Sequence, residues 1–486
     1  MKKLRWAMEE GGFWETDMST PRTLEGEARA VAGETLPLGL SRGERLSRPK
    51  QIDFFQRFMA APFLPSYSPP PHHGFSLQRL LPLPFFPSSW FTTLLAQFNL
   101  QKFASSLKKN GALHPSQNSS SSSRWDTIKN HLRDPSLYAL GLCSELSLTP
   151  DDTLLFSSDL YGDPNIPTRY KAVFHHKACR PSFLSHFSPL HNLMAEAVWP
   201  GLFADQAGNY WDVPFSWSID LGSAAPQSEG PSYHLSMHQN SGCPKQLDFQ
   251  GHQSSSIPPA LLPGISVKTA FAFKKNFHIW RSKAPKLKRV QPFDLLLSNP
   301  HISASAIIGA AASAYFGDNS VRSQPVDEFP HCQGLRLHSP ATKSALLADL
   351  FSSVSFTAQH GNFQRLFLDL TRVQARLDIS SGSKFVSSAT RIAQDLLNSQ
   401  QPNFEAVQAI CPAVTLSLQQ QIAGPFSFRA DCGVAYDWKN RDLQLRLDDP
   451  VFAIEYALHV LGSAKATAWY SPKQREFMME LRFFET

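Results

Sequence analysis

The chain has 486 residues, of which 18% are charged and 12% aromatic, with a formal net charge of +6 and a mean hydropathy of −0.25. The charged share is below the ~25% of ordinary soluble domains, yet the hydropathy is that of no helical membrane protein. The nearest thing to a membrane helix, Ala304–Phe316, is broken by Ser305, Gly309 and Ser313 and falls short of the ~18 apolar residues such a helix needs. A protein that crosses a membrane with strands stays compatible with these values, because its lumen-facing residues dilute the apolar signal.

Met1-Lys-Lys-Leu-Arg-Trp6 runs into Glu9 and Glu10 with no apolar core, so a secretory signal is not expected. The start also lacks the long Arg/Ser-rich, acid-poor stretch of an organelle transit peptide. Insertion of a membrane protein with this start is expected from the cytosolic side. Cys143, Cys179, Cys243, Cys332, Cys411 and Cys432 stand singly, without a C-x-x-C pair. Neither a zinc site nor a disulfide framework is expected, and a reducing compartment suits them.

Residues 1–135 read as an irregular, basic and partly helical region. Within Gly39–Phe58, Arg42, Arg45, Arg48, Lys50 and Arg57 surround Phe54, Phe55 and Phe58. Guanidinium groups grip phosphate with paired hydrogen bonds, so this segment is a candidate for phosphate-headed lipids. The same residues also suit a structural loop tied to Glu44 and Asp53 by ion pairs. Proline crowds Pro62–Pro87 and serine fills Ser119–Ser123, which read as linkers. Between them, Phe91, Leu94, Leu95, Phe98, Phe103 and Leu107 predict an amphipathic helix over Trp90–Lys109. It would pack on its own domain, in the lumen or on a membrane surface. Lys102, Lys108, Lys109, Arg124, Lys129 and Arg133 form a basic stretch opposed only by Asp126.

Over residues 136–486 the period becomes two. Phe426, Phe428, Ala430, Cys432, Val434, Tyr436 and Trp438 alternate with Ser427, Arg429, Asp431, Gly433, Ala435 and Asp437. Alternate side chains of a strand face opposite ways, so one face is apolar with aromatic ends and the other polar. The same alternation marks 211–220, 265–274, 372–379 and 452–460 and the closing Phe477–Thr486, and more weakly 140–148 and 354–358. Pro214 requires a bulge or an edge. Gly230-Pro231, Asn299-Pro300, Gly424-Pro425 and Asp449-Pro450 read as breaks. From Lys268 to Arg289, Lys268, Lys274, Lys275, Arg281, Lys283, Lys286, Lys288 and Arg289 run with no intervening acid. Such a cluster draws anionic lipid headgroups. Nucleic acid is not the expected partner, since no reader motif accompanies it.

Alternation alone suits a soluble sandwich or barrel as well as a membrane barrel. Strand length, aromatic strand ends and low charge favour the membrane. The fold expected is all-β: a transmembrane antiparallel β-barrel behind the irregular N-terminal region. A peripheral β-rich module that binds anionic membranes without spanning them is the alternative.

No Gly-rich phosphate loop, nucleophile elbow or H-E-x-x-H occurs. His72-His73 and His175-His176 read as loop histidines, and Asp151-Asp152 and Asp448-Asp449 as turns. Neither enzymatic activity nor a cofactor or metal is expected.

Met1–Trp6, Asp17–Pro21, Gly39–Ala60, Glu196–Phe203, Ser417–Ile422, Gly424–Phe428, Val451–Leu458 and Ser471–Thr486 resemble the plant trigalactosyldiacylglycerol family, its fourth-member branch in particular. The resemblance spans nearly the full length, and the stretch Ile166–Phe187 departs from the family pattern. It implies a β-barrel of the chloroplast outer envelope that moves lipid from the endoplasmic reticulum to the plastid. It also implies binding of phosphatidic acid, self-association as a homodimer and cooperation with an inner-envelope ABC lipid transporter complex. The family supplies no headgroup motif, so Arg42, Arg45, Arg48, Lys50, Arg57, Lys268, Lys274 and Lys275 rest on charge and aromatic context alone.

Overall fold

The computed structural model describes residues 28–30, 44–45, 52–53, 56–57, 60–68, 74–83, 89–109, 121–149, 151–164, 167–177, 191–205, 210–223, 230–246, 257–258, 261–279, 300–317, 335–339, 344–361, 370–398, 406–407, 410–437, 444–458, 464–473 and 475–485. Arg42, Arg48, Lys50 and Arg281–Arg289 lie outside these residues.

Two short strands open the chain, β1 (Ala28–Ala30) and β2 (Glu44–Arg45), followed by β3 (Leu64–Ser68), β4 (Gly74–Leu83) and β5 (Trp90–Asn99). Helices α1 (Leu100–Lys109) and α2 (Ser121–Leu132) come next, then β6 (Tyr138–Ser147), β7 (Asp152–Tyr161), β8 (Arg169–Lys177) and β9 (His191–Trp199). The middle holds β10 (Gly201–Asp205), β11 (Tyr210–Val213), β12 (Phe215–Ser223), β13 (Gly230–Ser241), β14 (Lys245–Gln246), β15 (Gly264–His278) and β16 (His301–Phe316). The chain continues with β17 (Leu335–Ser339), β18 (Ser344–His360), β19 (Thr371–Ile379), α3 (Gly382–Leu397), β20 (Ala413–Ala423) and β21 (Phe426–Asp437). It closes on β22 (Gln444–Leu458), β23 (Ala464–Ser471) and β24 (Glu476–Glu485).

The all-β expectation holds. From β3 to β24 the strands form one antiparallel meander curled into a barrel, with β2 added beside β24. Among the described residues no ladder joins β3 or β4 to β24, so the full closure expected of a barrel is not seen there. Strands β1, β10, β11 and β14 leave the meander for a four-stranded sheet at one rim. Trp211 and Val213 of that sheet bury against Leu261, with Phe203 and Ile257 beside them, an ordinary apolar core. Because the meander alternates direction, α1, α2, α3 and this sheet share the rim where β9 ends and β12 begins.

The predicted helix over Trp90–Lys109 is a strand to Asn99 and a helix only from Leu100. Apolar residues at 91, 94, 95 and 98 satisfy either period, and pairing decides: β5 lies between β4 and β6 with a ladder on each side. The β-branched Thr92 and Thr93 suit that setting. Asn99 then starts α1 by accepting the Lys102 N–H at 2.9 Å. Strands β3, β4 and β5 place part of residues 64–99 in the large sheet, upstream of residue 136.

Pro214 breaks the 211–220 run, as its missing N–H requires, and β11 and β12 go to different sheets. Asp448-Asp449 is no turn. The pair sits inside β22, where the ladder to β21 shifts between Asp431–Val451 and Gly433–Asp448. The extra residue forms a bulge that accommodates Pro450 within a central strand. His175 and His176 lie on β8 rather than in a loop, with His176 Nδ1 2.6 Å from Asp152 Oδ1. At the rim, the Asp134 carboxylate accepts the Ser136 N–H at 2.9 Å and caps a short 3-10 turn, Pro135–Leu137. The backbone hydrogen bond from Ser136, seconded by its hydroxyl, holds that carboxyl below the usual aspartate value.

Candidate functional site

The alternation gives the sheet two faces of unusual polarity. On the inner face, Ser353, Ser355 and Thr357 of β18, Arg372, Gln374 and Arg376 of β19, and Ser417, Gln419 and Gln421 of β20 are all buried. Ser427, Arg429 and Asp431 of β21 and Glu455 of β22 continue that face, and all are buried too. The outer face is the reverse: Phe271 is 70% exposed, Ile308 68% and Met479 70%. Leu350, Phe356, Ile454 and Phe477 are exposed on the same side. Buried polar and exposed apolar faces invert the rule for water-soluble sheets and match a lipid-facing wall around a polar interior.

The inner face is tied by register. Thr357, Gln374, Ser417, Asp431 and Val451 sit opposite one another across five strands, and Gln359, Arg372, Gln419, Arg429 and Ala453 form the next row. Glu455 accepts from Gln419 Nε2 at 3.0 Å and from the Ser427 hydroxyl at 3.2 Å, and lies 3.6 Å from Arg429 Nη1. Ser417 donates to Asp431, whose other oxygen is 3.9 Å from Arg429 Nε. Arg376 Nε donates to Asp378 at 2.8 Å and to Ser353 at 3.2 Å. Such bonds between ionised and neutral groups are needed to hold charge away from water. Across the other wall, Lys171 pairs with Glu196 at 3.0 Å, and His234 lies 3.7 Å from Asp220, with more solvent contact.

Aromatic side chains mark both rims of the outer face. Tyr138, Trp199, Phe215, Phe316, Tyr470 and Phe477 are exposed at the rim of the small sheet, with Trp199 packed edge-on against Phe215 at 6.2 Å. Trp90, Phe277 and Phe426 are exposed at the other rim, where Phe426 meets Tyr456 at 4.6 Å. Two such belts are the usual boundary of a membrane-spanning wall.

Of the basic residues singled out in the sequence, Arg45 lies in β2 with its backbone opposite Phe484 of β24. Arg57 is held by Asp53, at 2.9 Å from Nη2 and 3.1 Å from Nε. This is the ion pair that the structural-loop reading of that segment named. Lys268 is buried on the inner face, its ammonium 5.4 Å from the centre of the Phe351 ring. Lys274 shares that face and is half-buried, whereas Lys275 points outward, 5.3 Å from the Phe277 ring. Adjacent residues of a strand cannot act on one face, so Lys275 is separated from Lys268 and Lys274. Those two share a face but lie about 20 Å apart along β15, at ~3.3 Å per residue. The structure places Arg45 and Lys274 at the same rim, opposite the small sheet.

The Arg429–Glu455 cluster was legible only as a polar phase within each strand, because its members meet across a ladder. Among the described residues no three His, Cys, Asp or Glu side chains gather into a metal-binding group. No described helix is long and apolar enough to cross a membrane.

No family model matches the sequence. Comparison with curated proteins finds Protein TRIGALACTOSYLDIACYLGLYCEROL 4, chloroplastic, of Arabidopsis thaliana, 52% identical over the full length of both chains. That name supports a chloroplast location and a lipid-related role in a membrane context. Identity of this extent over the full length of both chains makes the chain a member of the trigalactosyldiacylglycerol family, in its fourth-member branch.

Proposed function

We propose that this chain is a β-barrel embedded in the chloroplast outer envelope that transfers lipid from the endoplasmic reticulum to the plastid, without catalysing a reaction. Phosphatidic acid is its headgroup ligand, a second copy of the chain its partner, and an inner-envelope ABC lipid transporter complex receives the lipid. The observation that carries this reading is the reversed polarity of the sheet, with an exposed apolar face rimmed by aromatic belts around a buried polar one. Membership of a family named for a galactolipid supports lipid as the cargo. A phosphomonoester carries up to two negative charges near neutral pH. Clustered cations such as Arg42, Arg45, Arg48, Lys50, Lys268 and Lys274 therefore favour it over zwitterionic lipids, while the guanidinium of Arg57 is already engaged by Asp53.

Alkaline carbonate extraction tests the embedding: a spanning sheet stays in the pellet, and a peripheral module that only touches anionic membranes is released. Liposome flotation tests the ligand, comparing phosphatidic acid with phosphatidylserine and phosphatidylcholine. The variant carrying Arg42→Ala, Arg45→Ala, Arg48→Ala and Lys50→Ala is expected to lose selectivity for phosphatidic acid. Equal binding to both anionic lipids, unchanged in the variant, would remove the N-terminal segment from the site.

A further inference from the structure

Besides its open β3–β24 edge, the described wall is interrupted beside β18. Strand β18 pairs with β16 along its whole length, from Ser344 to Gln359, but with β19 only from Ser352 onward. Over Ser344–Ala348 its other edge is covered by the five-residue β17, which pairs with no other strand among the described residues. Between the two partners, at Asp349 and Leu350, sits the start of α3. Asp349 accepts the Ser381 hydroxyl at 2.5 Å and the Ser383 N–H at 3.0 Å. A Cβ on Gly382 would stand 3.0 Å from that of Leu350, so the helix begins hard against the strand. A short seam thus lies at the rim end of β18, closed by a short strand and a helix, and below it the ladder to β19 is unbroken from Ser352 to His360.

Beside the seam lies a half-open cavity of about 340 Å³, within the range of small-ligand sites. Ala314, Phe316, Leu337 and Leu346 give it apolar walls, and Ser339 and Ser344 sit at its edge. Phe316 and Leu346 belong to the outward phase of their strands, as do the exposed Ile308 and Leu350 nearby. The cavity is therefore continuous with the surface that acyl chains cover if the sheet is embedded. The inner face supplies the complementary fact: its buried charges and amides make it a poor path for hydrocarbon.

We infer that this cavity beside the seam between β17 and β19 is a binding site for one acyl chain of a membrane glycerolipid, held on the outer face of the wall. This inference rests on the embedding proposed above. A chain seated there stays out of water and out of the polar interior, and the seam is the nearest break through which its headgroup reaches the inner face. Val386, Leu396 and Leu397 of α3, all exposed, extend the apolar surface beyond the rim.

The test uses full-length protein in phosphatidylcholine liposomes containing a trace of a glycerolipid with a diazirine midway along one acyl chain. After photolysis, adducts are mapped by mass spectrometry. They are expected severalfold enriched at Phe316, Leu337 and Leu346 over Ile308, Phe356 and Ile454, which share the outer face. Leu337→Trp fills the cavity and Leu337→Ser makes it polar. Each is expected to lower those adducts severalfold while the protein remains resistant to carbonate. Adducts spread evenly over the outer face, or unchanged in both variants, would overturn the cavity and leave the embedding intact. Release by carbonate would instead overturn the embedding, and the site with it.

Discussion

Gly309 shows how one residue serves the wall. It sits opposite Phe351 on the neighbouring strand, and a Cβ there would stand 2.1 Å from the Phe351 ring and 2.5 Å from the Thr269 carbonyl oxygen. The ring lies across the glycine, as aromatics do over strand glycines, and packs with Ala270 and Ile307 under the Lys268 ammonium. Gly309→Ala is therefore expected to cost about 1–3 kcal/mol through overpacking, and Phe351→Ala about 3 kcal/mol through the cavity it leaves. Urea unfolding in detergent or liposomes measures both, and a neutral Gly309→Ala would contradict the packing. Glu455 is only 1% exposed, accepts hydrogen bonds from Gln419 and Ser427, and is ion-paired with Arg429 at 3.6 Å. Glu455→Ala leaves Arg429 without that partner, and a loss of about 3 kcal/mol is expected from breaking a buried ion pair. Arg57→Ala, by contrast, removes a surface pair and is expected to change stability by less than about 1 kcal/mol.

The two faces of a strand answer differently to the same change. Ile308 stands on the exposed apolar face of β16, so Ile308→Arg is expected to cost about 2–4 kcal/mol in a bilayer. Fractional insertion into liposomes reads this, and Lys171→Arg, which keeps a cation on the polar face beside Glu196, is expected to leave insertion intact. Equal tolerance at both positions would argue that no lipid covers the outer face. Elements were legible to different degrees. The long alternating runs at Phe426–Asp437, Gly264–His278 and Thr371–Ile379 form strands as their period demanded. Trp90–Asn99 was not legible, since its apolar residues fit a helix until β4 and β6 compete for its backbone. Asp448-Asp449-Pro450 reads locally as a turn, and only the ladder to β21 makes it a bulge.

For the whole molecule, the sheet inverts the inside-out distribution of a soluble protein, and that inversion couples fold to function. Its aromatic belts, polar interior and seam beside β17 are all consequences of strand order and register. Composition, two-residue periodicity and family resemblance were enough to read an all-β chain with one apolar and one polar face, because side-chain alternation is a local property of extended backbone. They were also enough to point to lipid and to a basic N-terminal segment. What they could not reach was which polar residues meet across the sheet and where the wall is interrupted. Those depend on which residue of one strand lies opposite which residue of the next, and a ladder between distant segments leaves no mark in either segment alone.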